Sequence, residues 1–227
     1  MADRTMTFRF SKPPGWDFRA GQSVDLTLID PPETDAEGNT RAFTLSSAPS
    51  EASLAITTRL RDTAFKRVLQ KLPLGAPVGI EGPFGDLHLH NANRPAVLLT
   101  GGIGITPFRS ILVQTIRDGR LPYRVVLFYA NRRPEDAAFL DELRGLAKRD
   151  RNLTFVPTMS QADVSKRRWD GERGHIDPAM LDRHLGGVTG AIYYLTGPSA
   201  MVGALRAMLA PRGVDDDDIR TEEFTGY

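Results

Sequence analysis

The sequence contains no cysteine. That excludes disulfides, thiolate nucleophiles, zinc–thiolate sites and cysteine-ligated iron–sulfur clusters within these residues. Any redox chemistry must therefore come from a bound cofactor. Histidine is scarce as well: His88, His90, His175 and His184 form no H-E-x-x-H pattern. His88 and His90 lie two apart on an expected strand and so share a face, but without a third ligand they read as barrel surface and no metal site is expected. Neither charge is in excess, with 29 Lys and Arg against 28 Asp and Glu, a net charge of +1. That balance favours neither nucleic acid nor an anionic membrane surface. No apolar run reaches the ~18–20 residues of a membrane span, and Met1-Ala2-Asp3-Arg4-Thr5 does not read as a secretory signal. A soluble cytoplasmic protein is the expectation, with a monomer as the default.

What is present is ordinary for a globular chain: 227 residues, 41% hydrophobic and 25% charged. Disordered, collagen-like and coiled-coil readings drop out, and one large or two small domains remain. The patterning changes near Asn91-Ala92-Asn93-Arg94-Pro95, which divides the chain into residues 1–93 and 94–227. The first part alternates apolar and polar residues in short runs such as Ser23 to Leu28 and Ser53 to Thr58, separated by Pro/Gly turn clusters. A period of two with frequent turns predicts an antiparallel barrel or sandwich. One segment, Asp62 to Leu72, has helical spacing. The second part alternates buried strands, beginning with Ala96-Val97-Leu98-Leu99-Thr100, with helices at Pro107–Arg117, Pro134–Lys148, Pro178–His184 and Pro198–Leu209. That alternation predicts an open, doubly wound parallel sheet.

The first parallel strand runs into Gly101-Gly102-Ile103-Gly104-Ile105-Thr106-Pro107. Glycines allow a tight turn and close approach of backbone to a pyrophosphate. Thr106 suits an N-cap and Pro107 the first helical position, aiming the positive end of the helix at phosphate. The spacing is not G-x-G-x-x-G, and a plain strand-to-helix turn could look the same. A second such turn, Thr196-Gly197-Pro198 leading to Met201, follows the fourth strand. If the first and fourth strands are neighbours, the two turns face each other at the switch point where α/β sheets bind ligands. In the first part, Arg41-Ala42-Phe43-Thr44 offers a cation, an aromatic and a hydroxyl, although a barrel strand with one surface Arg would read likewise. Arg59, Arg61, Lys66 and Arg67 could form a basic dock or a solvated helix face.

Taken in order, these segments resemble the ferredoxin–NADP reductase superfamily. The resemblance rests on Phe18-x-x-Gly21-Gln22, Arg41-x-Phe43-Thr44, Gly82-Pro83-Phe84-Gly85, the two glycine turns and the tail Glu222-Glu223-Phe224. It implies an antiparallel Greek-key FAD-binding barrel followed by a five-stranded NAD(P)-binding domain. By resemblance Arg41 and Ala42 contact FAD, with Arg41 on the pyrophosphate. Phe43 stacks on the flavin ring, Thr44 bonds its N5 atom, and Thr58, Thr63, Ala64 and Phe65 complete the FAD set. Gly101, Gly102, Gly104, Ile105, Thr106, Pro107, Gly197, Pro198 and Met201 would hold the nicotinamide nucleotide. Thr196 stands where the family often has Cys, near the hydride-transfer locus, and Glu222 where it has a carboxylate near N5. Phe224 covers the second flavin face, a place for which Tyr227 competes.

The implied protein is an NAD(P)H-dependent flavoprotein reductase passing electrons to a separate ferredoxin, flavodoxin or haem protein. Two alternatives stand beside it: a reductase of small acceptors such as ferric chelates, quinones or free flavin, and a redox-inactive FAD-binding module. Asn131, Arg132 and Arg133 follow the second parallel strand, where the adenosine ribose lies in this fold. Arginine there suits a 2′-phosphate, so NADPH is expected over NADH.

Overall fold

The computed structural model describes residues 2–186 and 188–224. The first part holds five antiparallel strands and one helix: β1 (Thr5–Ser11), β2 (Ser23–Leu28), β3 (Thr40–Thr44), β4 (Ser53–Arg59), α1 (Ala64–Lys71) and β5 (Val78–Phe84). They pair as β1-β4 and as β3-β2-β5, and a single bridge between Leu45 and Ile56 joins the two ladders. Alternation places Val24, Leu26 and Leu28 of β2 inward, where they meet Leu54 and Ile56 of β4. Phe65, Val68 and Leu69 of α1 close this core at helical spacing. The helix starts two residues later than the spacing alone predicts, because the Thr63 hydroxyl accepts from the Lys66 amide and caps it.

The second part contains β6 (Ala96–Gly101), α2 (Ile105–Arg117), β7 (Val125–Asn131), α3 (Leu140–Arg149), β8 (Leu153–Met159), β9 (Glu172–Arg173), α4 (Pro178–Leu185), β10 (Ile192–Pro198), α5 (Ser199–Leu209) and β11 (Ile219–Phe224). The sheet is parallel, in the order β11-β10-β6-β7-β8-β9. Successive residues of each strand serve opposite cores. Leu98, Leu127 and Tyr194 pack under α2 and α3, while Val97, Val126 and Tyr193 pack under α4 and α5. Burial on both faces is why these strands read as continuous apolar runs. The sixth strand, β9, is a two-residue edge piece that leaves too short a trace for periodicity to reveal.

Three local differences from the sequence expectation have physical causes. Thr106 does not cap α2: a 3₁₀ turn at Gly102–Gly104 leads directly into the helix, and the Thr106 hydroxyl bonds back to the Ile103 carbonyl at 3.1 Å. The helix expected from Pro134 is divided by Phe139 in the left-handed conformation (φ 59°), so α3 begins at Leu140. His90 lies in no strand, and it stacks on Tyr123 with ring centroids 4.4 Å apart. Its Nδ1 lies 3.0 Å from the Tyr194 hydroxyl, which seals the connecting segment onto the parallel sheet.

The two parts are locked along α2. Arg109, 8% exposed, is held by Glu51 of the first part and by Glu142 of α3, and it donates to the Ser46 carbonyl at 2.8 Å. The Ser110 hydroxyl donates to the Ser47 carbonyl at 2.6 Å. Gln114 and Arg117 bond the backbone of Ser50. One helix face therefore fixes the loop following β3 against the parallel sheet.

Candidate functional site

The chain enters the parallel sheet at β6, winds outward to β9, then returns to place β10 on the other side of β6. The switch point thus lies between β6 and β10, where crevices form at the carboxyl ends of strands. The two glycine turns meet there. A Cβ on Gly104 would come within 2.8 Å of the Gly197 Cα and 2.9 Å of its nitrogen, so the backbones touch. A Cβ on Gly101 would lie 2.4 Å from the Met201 sulfur. The Thr196 side chain is fully buried, its hydroxyl 2.8 Å from both the Thr100 hydroxyl and the Gly104 carbonyl. It binds the two turns to each other.

Above this junction opens a cavity of about 830 Å³. Gly101, Gly102, Asn131, Arg132, Pro198 and Met201 line it. Asn131 is 8% exposed, and neither its side-chain oxygen nor its nitrogen has a hydrogen-bond partner. A buried amide left this way costs free energy that only a polar occupant recovers. That orphaned amide and the side-chain-free glycine cradle fit a nucleotide. Arg132 and Arg133 part company. Arg132 faces the cavity, whereas Arg133 pairs with Asp136 at 3.0 Å and with Asp3 at 3.7 Å. Sequence reasoning missed Ser160 and His175 in this wall. Ser160 follows the third parallel strand, so the carboxyl-end rule that singled out Asn131 could have found it.

A second, smaller cavity of about 80 Å³ lies between the two parts. It brings together Ala42, Phe43, Thr44, Thr58, Thr106 and Phe224, all singled out from the sequence. Arg59 and Arg61 line both cavities, so the two adjoin. Thr44 donates to Glu222 Oε1 at 3.0 Å across the interface. Burial pushes the Glu222 carboxyl above its ordinary value, and the Thr44 hydroxyl offsets only part of that rise. Ile105 and Pro107 are buried in the first turn of α2, where they pack and do not line either cavity. Tyr227 lies outside the described residues.

Arg41 and Phe43 flank the Phe65 ring, the guanidinium 5.2 Å from its centroid and the Phe43 ring 5.9 Å. Arg41 donates to Asp35 Oδ1 at 2.7 Å, and the Asp35 carboxylate lies beside the Ala64 amide at the head of α1. A carboxylate thus sits on the cation and the helix terminus assigned to a phosphate. The donor set accepts an anion, which fits the FAD diphosphate. Two of the four basic residues considered for a dock, Arg67 and Arg59, are engaged within the chain. Arg67 pairs with Glu33 at 2.6 Å and Asp62 at 2.5 Å. Arg59 donates to the Asp136 carbonyl at 3.1 Å.

Among the described residues no helix is long and apolar enough to cross a membrane, and no group of three or more His, Asp or Glu could hold a metal ion. Residues 98–207 match the oxidoreductase NAD-binding domain family. The chain is 31% identical over 232 residues to ferredoxin–NADP reductase B of Sorangium cellulosum, covering 97% of this chain and 91% of that one. It is 29% identical over 225 residues to the glycine betaine monooxygenase reductase subunit of Chromohalobacter salexigens, covering 97% of this chain but 60% of that one. It therefore spans less than two thirds of the length of this longer relative. Its fold superposes on the FAD/NAD-binding domain of nitric oxide dioxygenase from Vibrio cholerae with a TM-score of 0.80 at 20% identity, covering 98% and 93% of the two chains. The chain belongs to the ferredoxin–NADP reductase-like superfamily of FAD/NAD(P)H oxidoreductases.

Proposed function

We propose that the protein is the reductase of an electron-transfer pair: it takes a hydride from NAD(P)H onto FAD and delivers electrons to a separate acceptor protein. One observation carries this reading. The glycine-lined cavity at the switch point adjoins the cavity lined by Thr44 and Phe224, sharing Arg59 and Arg61 with it, and Thr44 there meets Glu222. A nucleotide in the first cavity can thus present its ring to the second. FAD, when bound, supplies the chemistry of accepting a hydride and giving up single electrons. The chain supplies placement. Arg41 and the α1 head hold the FAD diphosphate. Thr44 is aimed by Glu222, whose carboxyl burial holds above its ordinary value. Phe43 and Phe224 flank the ring site and exclude water, and Asn131 offers its amide to the nucleotide. Thr196 acts as a brace between the turns, setting the distance at which the nicotinamide approaches. A cysteine-free stretch holds no iron–sulfur cluster of its own, so within these residues the flavin is the point of electron exit. Relatives named as a ferredoxin–NADP reductase and as monooxygenase reductase subunits support a protein acceptor.

NADPH is the favoured donor because Arg132 faces the nucleotide cavity. Anaerobic addition of either nucleotide to the yellow protein should bleach the flavin absorbance, NADPH at the lower concentration. Arg132→Ala should raise KM for NADPH more than for NADH, while Arg133→Ala, whose partner is Asp136, should change neither. Failure of both nucleotides to bleach the flavin refutes the reading. Equal effects of Arg132→Ala on both nucleotides refute the NADPH preference.

A further inference from the structure

The connection between β2 and β3 is acidic, carrying Glu33, Asp35 and Glu37. It encloses the Arg41 guanidinium. Nη1 donates to the carbonyls of Glu37, Gly38 and Thr40 at 2.9, 3.0 and 2.8 Å. Nη2 donates to Asp35 at 2.7 Å, and Nε lies 3.0 Å from Glu37 Oε2. A guanidinium has a fixed fork of N–H groups. This loop engages Nε, Nη1 and one hydrogen of Nη2, and the Phe65 ring covers one face of the plane. The Asp35 carboxylate also accepts from the Glu37 amide at 3.1 Å and lies beside the Ala64 amide. Burial would raise this carboxyl, but Arg41 and the amides of Glu37 and Ala64 hold it below its ordinary value, so it is ionised at neutral pH.

A carboxylate and a phosphate oxygen use the same edge of an arginine and the same helix-terminal amide. The two cannot occupy them together. We propose that the Asp35–Glu37 loop is a built-in competitor for the FAD diphosphate, holding Arg41 and the head of α1 until the cofactor displaces it. The inference rests on the FAD reading above. The loop is anchored at both ends: Glu33 pairs with Arg67 at 2.6 Å, and the Asn39 side chain donates to the Leu28 carbonyl at 2.8 Å. Only the short tip between them has to swing outward. Gly38, at φ 75°, is the residue there that takes a left-handed backbone without strain. The chain in this way sets its own flavin affinity, below what its cationic site alone would give.

The test is release of FAD from the loaded protein on dilution, followed by the recovery of flavin fluorescence. Asp35→Asn with Glu37→Gln keeps shape and removes both charges. That double variant should hold FAD roughly tenfold or more tightly, the equilibrium weight of one charge-assisted hydrogen bond. Asp30→Asn, which removes an exposed charge of the same connection that neither touches Arg41 nor anchors the loop, should leave release unchanged. FAD should also speed amide hydrogen exchange of residues 34–38 in the wild type. Unchanged or faster release from the double variant overturns the proposal, because the loop would then brace Arg41 for the cofactor. An Asp30→Asn effect as large as that of the double variant also overturns it, as a general charge effect. A wild-type protein that binds no FAD refutes the FAD reading itself, so the two failures are distinct.

Discussion

Two side chains spend stability at the level of single residues. Asn131 keeps a buried amide without a partner at the mouth of the nucleotide cavity. Its replacement by leucine removes an unsatisfied group that costs about 1–3 kcal/mol. Asn131→Leu should therefore melt at or above the wild-type temperature while binding NAD(P)H more weakly. A variant that loses stability and retains nucleotide affinity would make Asn131 a packing residue. Glu222 is the second case. Its carboxyl is raised by burial above the ordinary value of 4.5. A raised carboxyl gives stability that is fully present below the unfolded value and is lost as pH climbs through the folded one. Urea unfolding across pH should show the wild type losing stability relative to Glu222→Gln as pH rises from 4.5 through that higher value. Parallel profiles for the two proteins would mean that the carboxyl is unperturbed. The residues chosen from the sequence were local in kind, a glycine beside a strand end or an aromatic beside a hydroxyl. Their partners were not legible: Thr44 meets Glu222 across 178 positions of sequence. The acids on Arg41 are only four and six residues away, but an acidic turn looks the same whether it faces solvent or a cation.

Among elements, the glycine turns divide into those that need open space and those that need backbone freedom. Gly104→Ala puts a methyl against the Gly197 backbone, where nothing flexible can yield. It should separate the turns, lowering both thermal stability and nucleotide affinity. Gly102 has φ 55° with nothing near its Cβ position. Gly102→Ala should cost only the roughly 1–2 kcal/mol of a left-handed alanine and leave nucleotide affinity nearly intact if the turn holds its shape. Nucleotide titrations and melting curves on the pair check this, and equal losses of affinity would deny the contact its role. The parallel strands were legible because both faces are apolar, and the helices because their apolar stripes repeat. The start of α2 was misplaced because a 3₁₀ turn leads straight into the helix and puts Thr106, which looked like its cap, inside the first turn, and β9 was invisible because two residues carry no period.

For the molecule as a whole, Arg109 is the joint. It is held by carboxylates from both parts and is nearly buried. Removing one member of such a group leaves uncompensated charge and costs about 3–5 kcal/mol. Arg109→Met should lower the unfolding free energy by that order, and denaturant unfolding at neutral pH measures it; a loss under 1 kcal/mol would mean that the joint is carried by Ser110, Gln114 and Arg117. The strand order has a further consequence, one of time. The central strand β6 pairs on one side with β7, which follows it closely, and on the other with β10, whose Thr196 lies 96 residues beyond Thr100. As the chain leaves the ribosome, β6 to β8 can assemble early, while the gap beside β6 stays open until β10 has been made. The nucleotide crevice, and the Glu222 carboxylate that meets Thr44, are then completed late, so a nascent chain gains its binding site only when β10 and β11 dock.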